Sequence, residues 1–320
     1  MDAATLEESA TPAFGPRDLA RTGTLVSAIG LDGAAFGWAT GIDQTSRILD
    51  AYAAGGGNLI STADHYAGGR SEIMIGSWLR TVSDRSRFVL ETRVGRHPDA
   101  VGLGKRAMLR AVENSLTRLG TDYVDFLSFD GEDPKTPIEE SLETGHRLIS
   151  EGKVRFLSAS GFGVDAIRQV EQLADESGGP RFRALLIEYN LMVREQYEGG
   201  LQPIAVEMGR GALARLPLAH GYLGGPARGR DESARGVMFE EAKRHIGRRG
   251  DRVTAALTAV AKELGESPSR VALAWVLLKP GIASALLRAK DSDQVERSLG
   301  AVNVRLARHQ VAALDRASVA

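Results

Sequence analysis

The sequence predicts an α/β chain folded as one (β/α)8 TIM barrel. Three observations lead there. Short apolar runs alternate with amphipathic helical runs along nearly the whole chain, and eight strand–helix units can be counted. The helical runs QTSRILDAYAAGG, GKRAMLRAVENSLTRLG and IEESLETGHRLISEGK each close at a Gly, which suits a left-handed helix stop. The competing architecture, a doubly wound open sheet, wants G-x-G-x-x-G after its first strand, and IGLDGAAFG lacks that spacing.

The elements follow in order. Residues 1–14 read as a loose polar tail and 15–320 as a single barrel domain. RDLARTGTLVS, leading into the first strand, suits a hairpin that plugs the bottom of the barrel. The strand candidates are LVSAIGL (25–31), NLIST (58–62), RFVLETRV (87–94), YVDFLSFD (123–130), VRFLSAS (154–160), ALLIEYN (184–190), GALARLPL (211–218) and ASALLRA (283–289). Residues 219–250 are rich in Gly and Arg and lack periodicity. They predict a long loop above the seventh strand, where substrate loops of such barrels belong.

Composition narrows the function. The 320 residues are 43% hydrophobic and 25% charged, as in ordinary globular proteins. A net charge of −1 gives no bulk attraction to nucleic acid or to an anionic membrane. The absence of Cys excludes disulfides, thiolate catalysis and Cys-ligated metal. The acidic N-terminus has no signal-peptide pattern, and no apolar run reaches the roughly 18 residues of a membrane span. No His spacing suggests a metal site. The expectation is a cytoplasmic protein acting on a small molecule, with no nucleic-acid or membrane partner and an open oligomeric state.

Several segments together resemble the aldo-keto reductase family over nearly the whole length. They are LVSAIGLDGAAFG, STADHYAGGRSEIMIGSWL, AVENSLTRLGTDYVDFL, EGKVRFLSASGFG, IEYNLM and VALAWVLLKPGIASALLRAKDSDQVERSL. The resemblance implies an aldo-keto reductase-like barrel and hydride transfer from NAD(P)H to a carbonyl. It also implies a tetrad of Asp, Tyr, Lys and His at the tops of the second to fourth strands. In that tetrad Tyr donates the proton, Lys is the cation beside it and His orients the carbonyl; a free phenol needs such a neighbour to act near neutral pH.

Carried onto this sequence, the family's Tyr is Tyr66. Its Asp falls on Ser61, its Lys on Arg93 and its His on Asp130. Arg93 stays cationic but cannot shuttle a proton as an ammonium does. An ionised Asp130 would repel negative charge on a carbonyl oxygen. The family's carboxamide clamp falls on Ser160, Gly161 and Leu186, and its stacking aromatic on Arg215. At the phosphate end Leu287 and Arg288 replace Pro-Gly and Ser298 replaces Asn, while Lys290 and Gln294 are kept. Asp32 interrupts the Gly-x-Gly of the first strand.

Concerted loss of tetrad, clamp and stacking residue points away from redox chemistry, so no cofactor is expected. The new acids point to proton transfer. Tyr66 and Asp130 are the expected acid/base pair, with Arg93 as electrostatic partner and Asp32 beside them. Glu91, two residues before Arg93, shares its face of the strand and is expected to pair with it. Trp38, His65 and His220 are candidates to touch substrate. The resulting reading is an elimination, isomerisation or cyclisation of a small metabolite, of the kind met in secondary metabolism. Two alternatives stay open. One is an NADP(H)-dependent carbonyl reductase or sugar dehydrogenase that uses Lys290, Gln294, Arg288 and Ser160 for the cofactor. The other is a catalytically silent binding protein.

Overall fold

The computed structural model describes residues 14–207, 209, 211–224 and 237–319. The chain opens with an antiparallel hairpin, β1 (Arg17–Asp18) and β2 (Leu25–Val26). Eight parallel strands follow: β3 (Ile29–Asp32), β4 (Leu59–Ser61), β5 (Val89–Val94), β6 (Val124–Asp130), β7 (Val154–Ser160), β8 (Phe182–Glu188), β9 (Gly211–Arg215) and β10 (Ile282–Leu287). They close into a barrel in sequence order, with β10 paired to β3. The surrounding helices are α1 (Ile42–Ala54), α2 (Arg70–Leu79), α3 (Lys105–Leu119), α4 (Ile138–Ser150), α5 (Val164–Ser177), α6 (Gln202–Glu207), α7 (Val237–Lys243), α8 (Arg248–Leu264), α9 (Pro268–Leu277), α10 (Ser292–Leu299) and α11 (Arg308–Ser318). The arrangement is the (β/α)8 barrel expected from the alternation of patterns.

The strands are buried on both faces, as parallel strands sheathed by helices must be. All six residues of β5 are buried, including Glu91 and Arg93. Two glycines show how tightly the outer ring is set. Gly120 ends α3 at φ 64, a left-handed stop that L side chains avoid. A Cβ on Gly76 of α2 would lie 2.3 Å from the carbonyl oxygen of Arg118, so only Gly permits α2 and α3 to pack so closely.

The barrel interior is layered because alternate strand residues face inward. The bottom layer is apolar and includes Leu59, Val89, Phe126, Ala184, Leu213 and Leu286. Leu19 and Val26 of the hairpin pack into the same cluster and seal that end, as the plug reading anticipated. One step up each strand lie Ser61, Glu91, Ser128 and Ser158, all fully buried. One more step brings Asp32, Arg93, Asp130, Ser160 and Arg215 to the tops of the strands. Among the described residues no helix is long and apolar enough to cross a membrane, and no group of three potential ligands could hold a metal ion.

Three expectations need correction. The run 25–31 is two strands. Asn58 binds Ser27 N at 2.7 Å and Leu25 O at 2.8 Å, and so ties down the bend between hairpin and barrel. An unbroken apolar run cannot reveal such a bend. Residues 219–250 are not one loop: a 3-10 turn covers Ala219–Gly224, α7 lies within the stretch and α8 begins at Arg248. α7 is only two turns long, too short for its periodicity to stand out among so many Gly and Arg; residues 225–236 lie outside the described residues. Phe14, read as the end of the tail, is bound through its N–H to Val302 O at 3.1 Å and stacks under the Arg17 guanidinium. Residues 1–13 lie outside the described residues.

Candidate active site

The candidate site sits at the C-terminal ends of the barrel strands, where residues from different strands meet and where such barrels place their chemistry. Tyr66 comes from the turn between β4 and α2. Its phenol oxygen accepts a hydrogen bond from Arg93 Nη2 at 2.6 Å and a long one from Arg288 Nη2 at 3.5 Å. The Arg93 guanidinium also lies over the Tyr66 ring, 4.8 Å from its centroid. Among the described residues no group accepts the Tyr66 hydroxyl proton.

Asp32 anchors the cations from below. Its Oδ1 accepts from Ala34 N at 3.0 Å, a local cap at the strand end. Its Oδ2 pairs with Arg288 Nε at 3.1 Å, and Arg93 Nη2 lies 3.8 Å from Oδ1. Burial alone would raise the Asp32 carboxyl. Arg288, Arg93 and Arg215 outweigh burial and hold it below the ordinary carboxylate range. Arg93 donates Nε to Thr62 O at 3.1 Å, and Tyr66, Glu91, Asp32 and Asp130 hold it charged despite complete burial.

Glu91 does not form the expected pair with Arg93. Its oxygens accept from Ser61 Oγ at 2.5 Å and Ser128 Oγ at 2.6 Å, and Ser128 continues to Ser158 at 2.6 Å. The two residues do share a face of β5, but they occupy different layers. Arg93 reaches up to Tyr66, while Glu91 stays in the serine layer below. Burial pushes the Glu91 carboxyl above the ordinary range, against the opposing pull of Arg93.

Asp130 closes another side. Its Oδ1 accepts from Ser160 Oγ at 2.9 Å, and its Oδ2 lies 3.5 Å from Arg96 Nε and 3.9 Å from His65 Nδ1. His65 is bracketed by Asp130 and by the fully buried Asp64, 3.4 Å away, and meets the Tyr66 ring edge-on. His220 sits above β9 with its own backbone at φ 56. Burial, with help from Arg288 and Arg244, pushes its imidazole down to about 4, so it is neutral at pH 7. Trp38 is 70% exposed and takes no part in these contacts.

A model of the Aldo/keto reductase family matches residues 28–319. The chain belongs to that family. A protein of Schizosaccharomyces pombe, provisionally named a voltage-gated potassium channel subunit beta, is similar to it. The two are 28% identical over 317 residues, covering 92% of this chain and 91% of the relative.

A nicotinamide nucleotide is the cofactor that the aldo/keto reductase family implies, and the residues that would hold it fit it poorly here. The Arg288 side chain turns to Asp32 and lies 3.5 Å from the Tyr66 oxygen. The Ser160 hydroxyl is given to Asp130. The Gln294 side chain accepts from Lys290 N at 3.0 Å, and the Lys290 carbonyl accepts from Gln44. The Lys290 side chain is exposed.

Against the aldo/keto reductase resemblance, the structure brings Tyr66, Arg93, Asp32, Asp130, His65, Ser160 and Arg288 into one connected cluster. Sequence reasoning missed Arg96, Asp64, Ser128 and Ser158, and treated Arg215 only as a lost aromatic. The serines were detectable, since each lies two residues before Asp130 or Ser160 on the same strand face. Arg96 was not. Gly95, at φ 117, turns the chain between Arg93 and Arg96, so strand alternation no longer applies.

Proposed function

We propose that this member of the aldo/keto reductase family carries out cofactor-independent acid/base chemistry on a small metabolite at the mouth of its barrel. One observation carries the reading: two guanidiniums donate to the Tyr66 oxygen while its proton is left to give. In an elimination, Asp130 would take a proton from carbon and Tyr66 would protonate the departing hydroxyl, which leaves as water. The phenolate so formed would be held by Arg93 and Arg288 until water returns the proton from Asp130. Isomerisation and cyclisation use the same pair with a different bond order of events. The engagement of Arg288 by Asp32 and of Ser160 by Asp130 supports the absence of a nicotinamide step.

The test is turnover of a panel of β-hydroxy-carbonyl and enolisable compounds, followed by ultraviolet absorbance and proton exchange. Tyr66→Phe and Asp130→Asn should each slow a turned-over substrate by about 10²–10⁴-fold. Unchanged rates in both variants would overturn the assignment. A second reading, NADP(H)-dependent carbonyl or sugar reduction, is favoured by the close Tyr66–Arg93 contact, which keeps a cation beside the phenol. A third, a silent binding subunit, is favoured by the channel-subunit name of the Schizosaccharomyces pombe relative. Saturable NADPH binding would support the second, and ligand binding without turnover the third.

A further inference from the structure

We propose that His65 is the proton carrier of this site. It takes from Asp130 the proton drawn from substrate carbon and passes one on to water, which resets the enzyme. The inference rests on the acid/base reading of Tyr66 and Asp130 and deepens it. After an elimination Asp130 holds a proton and Tyr66 lacks one, so a second turnover needs the proton moved. Arg96 Nε lies 3.5 Å from Asp130 Oδ2, but a guanidinium has no lone pair with which to accept. The Ser160 hydroxyl already donates to Oδ1 at 2.9 Å. His65 Nδ1 lies 3.9 Å from Oδ2, and a shift of about 1 Å brings the two to hydrogen-bond length.

The imidazole is placed for this task. Backbone hydrogen bonds fix its turn on both sides: Asp64 N donates to Arg93 O at 2.9 Å, and Gly68 N donates to His65 O at 3.1 Å. Nδ1 is buried and, among the described residues, has no hydrogen-bond partner. On its other side stands Asp64, 3.4 Å away and 0% exposed. Neither oxygen of that carboxylate is hydrogen-bonded among the described residues. A buried carboxylate without donors is costly. An imidazolium between Asp64 and Asp130 supplies the missing charge at the moment His65 carries the proton. The ring is 28% exposed, which opens it to water, and it meets the Tyr66 ring edge-on with centroids 5.1 Å apart.

The steps balance. Neutral His65 accepts the Asp130 proton on Nδ1 and becomes imidazolium. The imidazolium loses a ring proton to water, and water protonates the Tyr66 phenolate. Asp130 is again a carboxylate, Tyr66 a phenol and His65 neutral, with no net proton gained or lost.

The test is steady-state kinetics of His65→Ala on a compound that the panel of β-hydroxy-carbonyl and enolisable compounds shows to be turned over. A carrier acts after the first irreversible step. In His65→Ala kcat should therefore fall by about 10²-fold while kcat/KM stays within about twofold. Imidazole added to the buffer should restore part of kcat, and His65→Gln should show the same split without the rescue. Circular dichroism melts establish that both variants are folded. Unchanged kcat, or an equal loss of kcat and kcat/KM in a folded variant, would overturn the carrier. Tyr66→Phe and Asp130→Asn separate the two claims, because each should lower kcat/KM itself. If both keep it, the acid/base reading fails. If they lose it while His65→Ala keeps kcat, the carrier alone fails. Turnover of no compound would overturn both.

Discussion

Replacing Asp32 by Asn removes the one carboxylate, among the described residues, that pairs directly with Arg288 and Arg93. Asp32 is 0% exposed, and its two partners are 0% and 15% exposed, so water cannot take over its charge. Removing one partner of a buried ion pair costs about 3–5 kcal/mol. Unfolding entropy of about 2.1 cal/mol/K per residue, over this chain, makes each kcal/mol worth about 1.5 °C. Asp32→Asn should therefore melt about 4–7 °C below the wild type at pH 7. The sign with pH follows from the lowered Asp32 carboxyl. Its contribution is full above the ordinary value near 4 and is lost as pH falls through the lowered one, so the two proteins should converge only in strong acid. The assay is a circular dichroism melt at low ionic strength. A variant melting within about 1 °C of wild type would refute the reasoning.

Other outcomes follow from the same geometry. Glu91→Gln should stabilise the protein at pH 8, because burial disfavours the ionised carboxyl. A raised acid costs stability as pH climbs through and above its ordinary value, so the gain should vanish near pH 4, and denaturant midpoints at the two pH values check it. His220, lowered to about 4, withholds stability as pH falls from about 6.5 to 4, because only the unfolded chain gains the proton there. His220→Asn should flatten the pH–stability profile in that window; an unchanged slope would remove His220 from the account. Gly76→Ala should destabilise by several kcal/mol, since its Cβ meets backbone rather than a flexible side-chain tip; a melt within about 1 °C of wild type would contradict that packing.

The sequence made the barrel legible because its signals are local and repeated. Apolar runs of strand length, helices with Gly stops and the plug-forming hairpin are each readable within a dozen residues. The site was legible wherever strand alternation applies. Arg93, Asp130 and Ser160 all lie on inward positions, and their connection could be anticipated. The partners were less so. Glu91 pairs with serines rather than Arg93, because which of two inward layers a long side chain joins depends on its length and on the opposite wall. Arg288 lies just past the end of β10, and nothing local says that its side chain turns back to Asp32 and Tyr66. Trp38, expected as a pocket wall from its position after the first strand, is 70% exposed.

The central claim is that this barrel has exchanged hydride transfer for proton transfer. It is tested most directly by titrating the purified protein with NADPH and NADP⁺, following tryptophan fluorescence and heat. The account predicts no saturable binding of either nucleotide up to about 1 mM. Binding with a Kd of about 1–10 μM would contradict it and return the protein to carbonyl reduction.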